Sequence, residues 1–169
     1  DSRIAYIAES GPKNKRIKRL AIMDSDGANH RFITNGQSTA LTPRFSPNYK
    51  SILYLSYVDG NPRIYVYDID SGRQRLITQS NGPTFAPRWS PDGQTILYSM
   101  AVSGNTDVYK ISASGNGSPI KLTSSPGIDV GGSFSPDGRQ IVFESDRSGS
   151  QQIYVMNADG SDQRRISFG

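Results

Sequence analysis

The 169-residue chain contains no cysteine, which removes disulfides, thiolate zinc sites, iron–sulfur clusters and cysteine nucleophiles together and leaves the compartment open. Its single histidine, His30, has no acid or base beside it in the sequence, so proton-transfer chemistry has almost nothing to draw on. Long apolar runs are missing as well. The longest, Ile52-Leu53-Tyr54-Leu55, stops at Ser56, far short of the ~20 residues that a membrane-spanning helix needs. Neither Gly-x-x-x-x-Gly-Lys nor Gly-x-Gly-x-x-Gly occurs, and with them go the commonest phosphate cradles. Gly36-Gln37-Ser38-Thr39-Ala40 and Gly131-Gly132-Ser133-Phe134-Ser135 approach a nucleophile elbow, lack its final glycine, and read as turns. Asp24-Ser25-Asp26-Gly27 opens like a calcium loop, but its glycine comes two positions early and Asn35 stands where the twelfth ligand belongs. It reads as an Asp-rich hairpin turn, as does Asn157-Ala158-Asp159-Gly160. The expectation is a protein without enzymatic activity, cofactor or metal. The chain opens Asp1-Ser2 with no apolar leader, so any targeting signal is expected to have been removed or to lie outside this sequence.

What the chain does have is punctuation: 17 glycines and 10 prolines against an apolar share of only 34%. Lys and Arg number 19 against 15 Asp and Glu, a net +4 that suits an acidic partner without demanding nucleic acid. The punctuation is periodic. Phe45-Ser46-Pro47-Asn48, Trp89-Ser90-Pro91-Asp92 and Phe134-Ser135-Pro136-Asp137 recur at steps of 44 and 45 residues. Behind each follow Ser51-Ile52-Leu53-Tyr54, Thr95-Ile96-Leu97-Tyr98 and Gln140-Ile141-Val142-Phe143, and Arg3-Ile4-Ala5-Tyr6 fits the same slot. A third segment includes Arg63-Ile64-Tyr65-Val66-Tyr67 and Gln152-Ile153-Tyr154-Val155-Met156. Each copy then closes alike, at Arg31-Phe32-Ile33-Thr34, Arg75-Leu76-Ile77-Thr78, Ile120-Lys121-Leu122-Thr123 and Arg165-Ile166-Ser167.

Segments this short, rich in Ile, Val, Tyr and Leu and bounded by Gly, Asp, Asn or Pro, are strands. Ser-Pro-Asp-Gly suits a type I turn, with proline fixing φ and glycine taking the left-handed position, so it joins two strands as a hairpin. Two further glycine-bearing turns per copy make four antiparallel strands, the blade of a β-propeller. The fold class is therefore all-β. Blades are expected at about 3–34, 41–78, 85–123 and 130–167. The first begins at its second strand, which gives fifteen strands in all. Either a four-blade ring closes with one incomplete blade, or the chain is an arc of a larger propeller whose open blade edges favour self-association. In the first copy Asn48-Tyr49 replaces Asp-Gly, and because a left-handed tyrosine is strained, that turn is expected to be remodelled or one residue longer. The segments leading into each aromatic-Ser-Pro, from Thr39, Pro83 and Ile128 onward, are expected to be loops converging on the mouth of a central channel. Lys13-Asn14-Lys15-Arg16-Ile17-Lys18-Arg19 packs five cations into seven residues; without interleaved aromatics it reads as a solvated basic hairpin.

The Phe/Trp-Ser-Pro-Asp-Gly hairpin, Ile153-Tyr154-Val155-Met156-Asn157-Ala158-Asp159-Gly160 and the closing Arg164-Arg165-Ile166-Ser167 resemble the propeller repeats of the TolB family of the bacterial Tol-Pal system. Arg3-Ile4-Ala5-Tyr6 with Leu20-Ala21-Ile22-Met23-Asp24-Ser25-Asp26-Gly27 is similar to that family's first blade. The resemblance implies a six-bladed propeller behind an N-terminal α/β domain, with about four blades here. It also implies a periplasmic, non-enzymatic scaffold that binds the peptidoglycan-associated lipoprotein Pal over the channel mouth. Roles in outer-membrane integrity and cell division follow, with other Tol proteins contacted through parts not in this chain, and neither nucleic acid binding nor membrane insertion. Carried over by position, the partner contacts are Thr39, Leu41, Thr42 and Arg44; then Pro83, Thr84, Phe85, Ala86 and Arg88; then Asp129, Val130 and Gly131. Similar repeats also form the substrate-gating propellers of prolyl-oligopeptidase-like serine peptidases, which stands as the alternative.

Overall fold

Short strands and obligatory turns leave the chain one economical path, a meander. The computed structural model describes residues 2–58, 60–79 and 82–168, and these form fifteen strands and no helix. The first sheet contains β1 (Arg3–Ser10), β2 (Ile17–Asp24) and β3 (Arg31–Phe32). The second contains β4 (Ala40–Phe45), β5 (Ser51–Val58), β6 (Asn61–Asp68) and β7 (Gln74–Leu76). The third contains β8 (Thr84–Trp89), β9 (Thr95–Val102), β10 (Asn105–Ser112) and β11 (Ile120–Lys121). The fourth contains β12 (Asp129–Phe134), β13 (Gln140–Ser145), β14 (Gln152–Asn157) and β15 (Arg164–Arg165). Every strand pairs antiparallel with its sequence neighbour, in sheets of three, four, four and four strands, the blades that the repeat predicts.

The turns explain the repeat's spelling. In Ser90-Pro91-Asp92-Gly93 the Gly93 N–H donates to the Ser90 carbonyl. Asp92 Oδ1 accepts from the Ser90 hydroxyl and the Gln94 N–H, and the Thr95 N–H reaches back to Ser90 Oγ. Ser135 to Gly138 repeats each bond. The two glycines sit at φ +71° and +72°, where a Cβ costs about 1–2 kcal/mol. The Asn48-Tyr49 turn is not remodelled, contrary to expectation. Tyr49 adopts φ +59° and its N–H donates to the Ser46 carbonyl, while Asn48 Oδ1 accepts from Ser46 Oγ and the Lys50 N–H as the aspartates do. The side-chain network over-determines the turn and holds a strained tyrosine in the glycine's place.

The closing Thr or Ser of each copy has a common task. Thr34, Thr78 and Thr123 Oγ1 and Ser167 Oγ accept the N–H of Leu20, Ile64, Val108 and Ile153, supplying an acceptor just beyond the short outer strand.

Apolar side chains lie between sheets. Leu20, Ile22, Ile52 and Tyr54 join the first sheet to the second. Leu53, Leu55, Ile64 and Val66 meet Ile96 and Tyr98 between the second and third, and Leu97 and Val108 meet Ile141, Phe143 and Met156 between the third and fourth. A middle strand is thus buried on both faces, as β5 is from Ile52 to Ser56, whereas β13 alternates buried Ile141 and Phe143 with exposed Val142 and Glu144. Cations stitch neighbours together: Arg75 Nη2 donates to the Ala113 carbonyl at 3.3 Å and Lys110 Nζ to the Ala158 carbonyl at 2.8 Å. Among the described residues no core cluster joins the first sheet to the fourth, so the sheets form an open arc rather than a four-blade ring.

Candidate partner-binding surface

The innermost strands β4, β8 and β12 each form an edge of their sheet, and β8 packs against both β4 and β12, so the three line the inner side of the arc. Their starts pair with the ends of the neighbouring strands, Ala40 with Ser56, Thr84 with Met100 and Asp129 with Ser145. Thr39, Pro83 and Ile128 therefore share one end of the arc with the β1–β2 hairpin. The segments expected as loops are mostly strand, and Gly131 to Phe134 lies within β12 rather than in a turn. The reason is a bulge repeated in all three. Register shifts between Leu41 and Arg44, between Phe85 and Arg88, and between Val130 and Ser133, and Thr42, Ala86 and Gly131 take φ +49°, +51° and +70°. One extra residue, so that two residues face one across the ladder, absorbs a proline or glycine that a regular ladder would reject. A β-branched threonine at positive φ is strained, and such strain persists only where the surroundings enforce it.

The sequence-derived positions do not share one environment. Thr39, Thr42, Pro83, Arg44 and Gly131 are exposed or half-buried, and Ala86 and Val130 are half-buried. Leu41 and Phe85 are half-buried and pack on the core between the second and third sheets. Thr84 and Asp129 depart from the expectation, since both are 0% exposed. Thr84 Oγ1 donates to the Pro62 carbonyl at 3.0 Å and bonds Thr78 Oγ1 at 3.2 Å. They shape the wall and do not present themselves at its surface. Arg44 and Arg88 lie just past the bulge, each with Nη1 donating to the preceding prolyl carbonyl at 3.0 Å. Burial, and after it the Arg44 charge, holds the Arg88 guanidinium below its ordinary range.

Asp129 belongs to a buried ionic network. Its Oδ2 accepts from Arg147 Nη2 at 2.8 Å and Ser125 Oγ at 2.9 Å. Arg147 Nη1 also donates to Gln163 Oε1 at 2.7 Å and Nε to Ser145 Oγ at 2.9 Å, with the guanidinium 4.9 Å from the Tyr154 ring centroid. Nearby, Lys121 Nζ stands 2.8 Å from buried Asp107, whose hydrogen bond raises the lysine pKa. Arg147, Lys121 and Asp107 escaped the sequence reading. One signal was available: Asp129 fills a slot held by Ala40 and Thr84 in the other copies, and Arg147 sits in a longer second hairpin than theirs. The basic hairpin is exposed at Lys13, Lys15 and Arg16, with Arg16 Nε 3.4 Å from Glu9. Among the described residues no group of three His, Cys, Asp or Glu is arranged to hold a metal, and no helix is long and apolar enough to cross a membrane.

The family model described as the TolB beta propeller domain matches residues 1–169. The chain belongs to the TolB propeller family. The Tol-Pal system protein TolB 1 of Novosphingobium aromaticivorans is 82% identical over 66 residues, 39% of this chain and 15% of that protein. The Zymomonas mobilis Tol-Pal system protein TolB is 73% identical over 66 residues, 39% of this chain and 14% of its own length. The crystal structure of TolB from Acinetobacter baumannii superposes with a TM-score of 0.80 at 31% identity, covering 99% of this chain and 42% of that one. The chain thus spans less than half of that relative. One chain from a structural and mechanistic analysis of two prolyl endopeptidases also shares the fold, with a TM-score of 0.70 at 16% identity over 99% of this chain and 28% of that one; that likeness concerns the fold alone.

Proposed function

We propose that the arc is a non-enzymatic protein-binding scaffold of the Tol-Pal system, working in the periplasm and binding Pal at the end of the inner wall where Thr39, Pro83 and Ile128 lie. The observation that carries the reading is the bulge, set at one position of three successive innermost strands. It presents Thr42, Ala86 and Gly131 at matched places, beside the apolar Leu41, Phe85 and Val130. A partner entering there meets one surface assembled from three blades, with apolar contact at its centre and charge around it, the composition that protein interfaces favour. The names of the two curated relatives, both Tol-Pal system proteins, support a partner from that system. Through Pal the scaffold supports outer-membrane integrity. With 42% of the length of the Acinetobacter relative, this chain offers a part of that surface, and its affinity is expected to be correspondingly reduced.

Calorimetric titration of Pal into the parent chain and into two double variants tests the reading. Phe85→Asp with Val130→Asp is expected to weaken binding by at least about tenfold, because it sets charge in the apolar centre. Lys15→Glu with Arg16→Glu is expected to leave it within about twofold, as for exposed charges outside an interface. The reverse pattern would move the site to the basic hairpin, and no heat from the parent would end the Pal assignment.

A further inference from the structure

Arg44 and Arg88 hold equivalent positions in successive blades, one residue before Phe45 and Trp89. Both guanidiniums are folded back on their own bulges by the bonds from Nη1 to the Pro43 and Pro87 carbonyls, which gives the two planar forks the same anchor. The Trp89 indole N–H donates to the Arg44 carbonyl at 3.2 Å, tying the two strands together where the arginines emerge. Among the described residues neither is within ion-pair distance of a carboxylate. The contrast with the other cations in the blade interfaces is informative. Arg147 meets Asp129, Lys121 meets Asp107, and Arg75 and Lys110 end on backbone carbonyls of the next sheet. Arg88 is half-buried, and after that burial the like charge of Arg44 acts on it. A half-buried cation beside an exposed like charge costs free energy unless an anion joins them.

We propose that Arg44 and Arg88 form a receptor for a carboxylate, delivered by an Asp or Glu side chain of a partner protein lying along the inner wall. The pre-set guanidinium forks match the planar, two-oxygen geometry of a carboxylate, which a lysine ammonium would not. The source of the carboxylate rests on the partner-binding reading above; the receptor itself does not.

The test therefore begins without a protein partner. Citrate is titrated into the 15N-labelled chain while the arginine Nε–H resonances are followed. Arg44 and Arg88 are expected to shift along one saturating curve with a shared millimolar midpoint, while exposed Arg73 and Arg139 drift without saturating. In Arg88→Met the Arg44 curve should weaken by at least about fivefold, since half the receptor is gone. Unsaturated shifts, or an Arg44 midpoint unchanged in Arg88→Met, would overturn the receptor. Pal titration then assigns the source: equal affinity for the parent and for Arg44→Met with Arg88→Met would leave a receptor for free carboxylates only and refute the partner side chain. A parent chain that ignores Pal yet saturates with citrate would refute the Pal reading and keep the receptor.

Discussion

A single residue out of place shows how the repeat tolerates departures. Tyr49 takes the backbone conformation that glycine holds at Gly93 and Gly138, and it does so because the Ser46–Asn48 hydrogen bonds leave the turn no other closure. Restoring the repeat's own spelling, Asn48→Asp with Tyr49→Gly, is expected to raise stability by about 1 kcal/mol, the left-handed penalty less the extra freedom of glycine in the unfolded chain. A higher urea midpoint at unchanged slope would show it; a lower one would mean that the 6.0 Å contact of the Tyr49 ring with Phe45 matters more than the strain. At Asp129 the balance runs the other way. Arg147→Ala strands a carboxylate that is 0% exposed, and loss of one partner of a buried pair costs about 3–5 kcal/mol. Arg147→Ala together with Asp129→Ala is expected to be less damaging than Arg147→Ala alone, and equal losses in the two would contradict a buried ionic role. Neither lesson is spelled out by the repeat itself. The tyrosine's strain is overruled by side-chain bonds that a φ argument does not count, and Asp129 and Arg147 lie on different elements in one copy only, where no repetition underlines them.

Whole elements were far more legible. Fifteen strands and their three kinds of turn follow from a pattern written four times, so that each copy checks the others. What the repeat did not spell out is the bulge, which lets β4, β8 and β12 carry Thr-Pro, Ala-Pro and Gly-Gly as strand where loops were expected. The turns also give the protein an acid limit. Asp92, Asp137 and Asp159 are held below their ordinary value of 3.8, first by hydroxyl hydrogen bonds from Ser90, Ser135 and Ser161 and then by backbone N–H groups. Because the folded values are depressed, their stabilising contribution is complete above the unfolded value and is lost as the pH falls from about 4 through the folded values. The urea midpoint is expected to stay level from neutral pH to about pH 5 and to drop below about pH 4. Ser90→Ala with Ser135→Ala should lower stability at neutral pH and flatten that drop. An undiminished acid drop in this variant would place the sensitivity elsewhere.

At the scale of the whole molecule the arc has two unlike ends. Its end sheets expose Ile4 and Phe32 on one side and Val142, Ile166 and Phe168 on the other, while its middle sheets are covered on both faces. Apolar faces of this kind are stable when another layer covers them, so the isolated chain is expected to self-associate reversibly in sedimentation at high concentration. Val142→Lys with Ile166→Lys should shift it towards monomer; a parent chain that sediments as a monomer at every concentration would refute association through the ends. The strictly neighbour-to-neighbour pairing of the strands sets, finally, the order in which such a protein can come into being. A polypeptide arriving one end first can complete a sheet from residues already present and offer its outer face as the template for the next, so construction runs in a single direction. Pulled from either terminus, the same stack sheds one layer at a time from that end inwards.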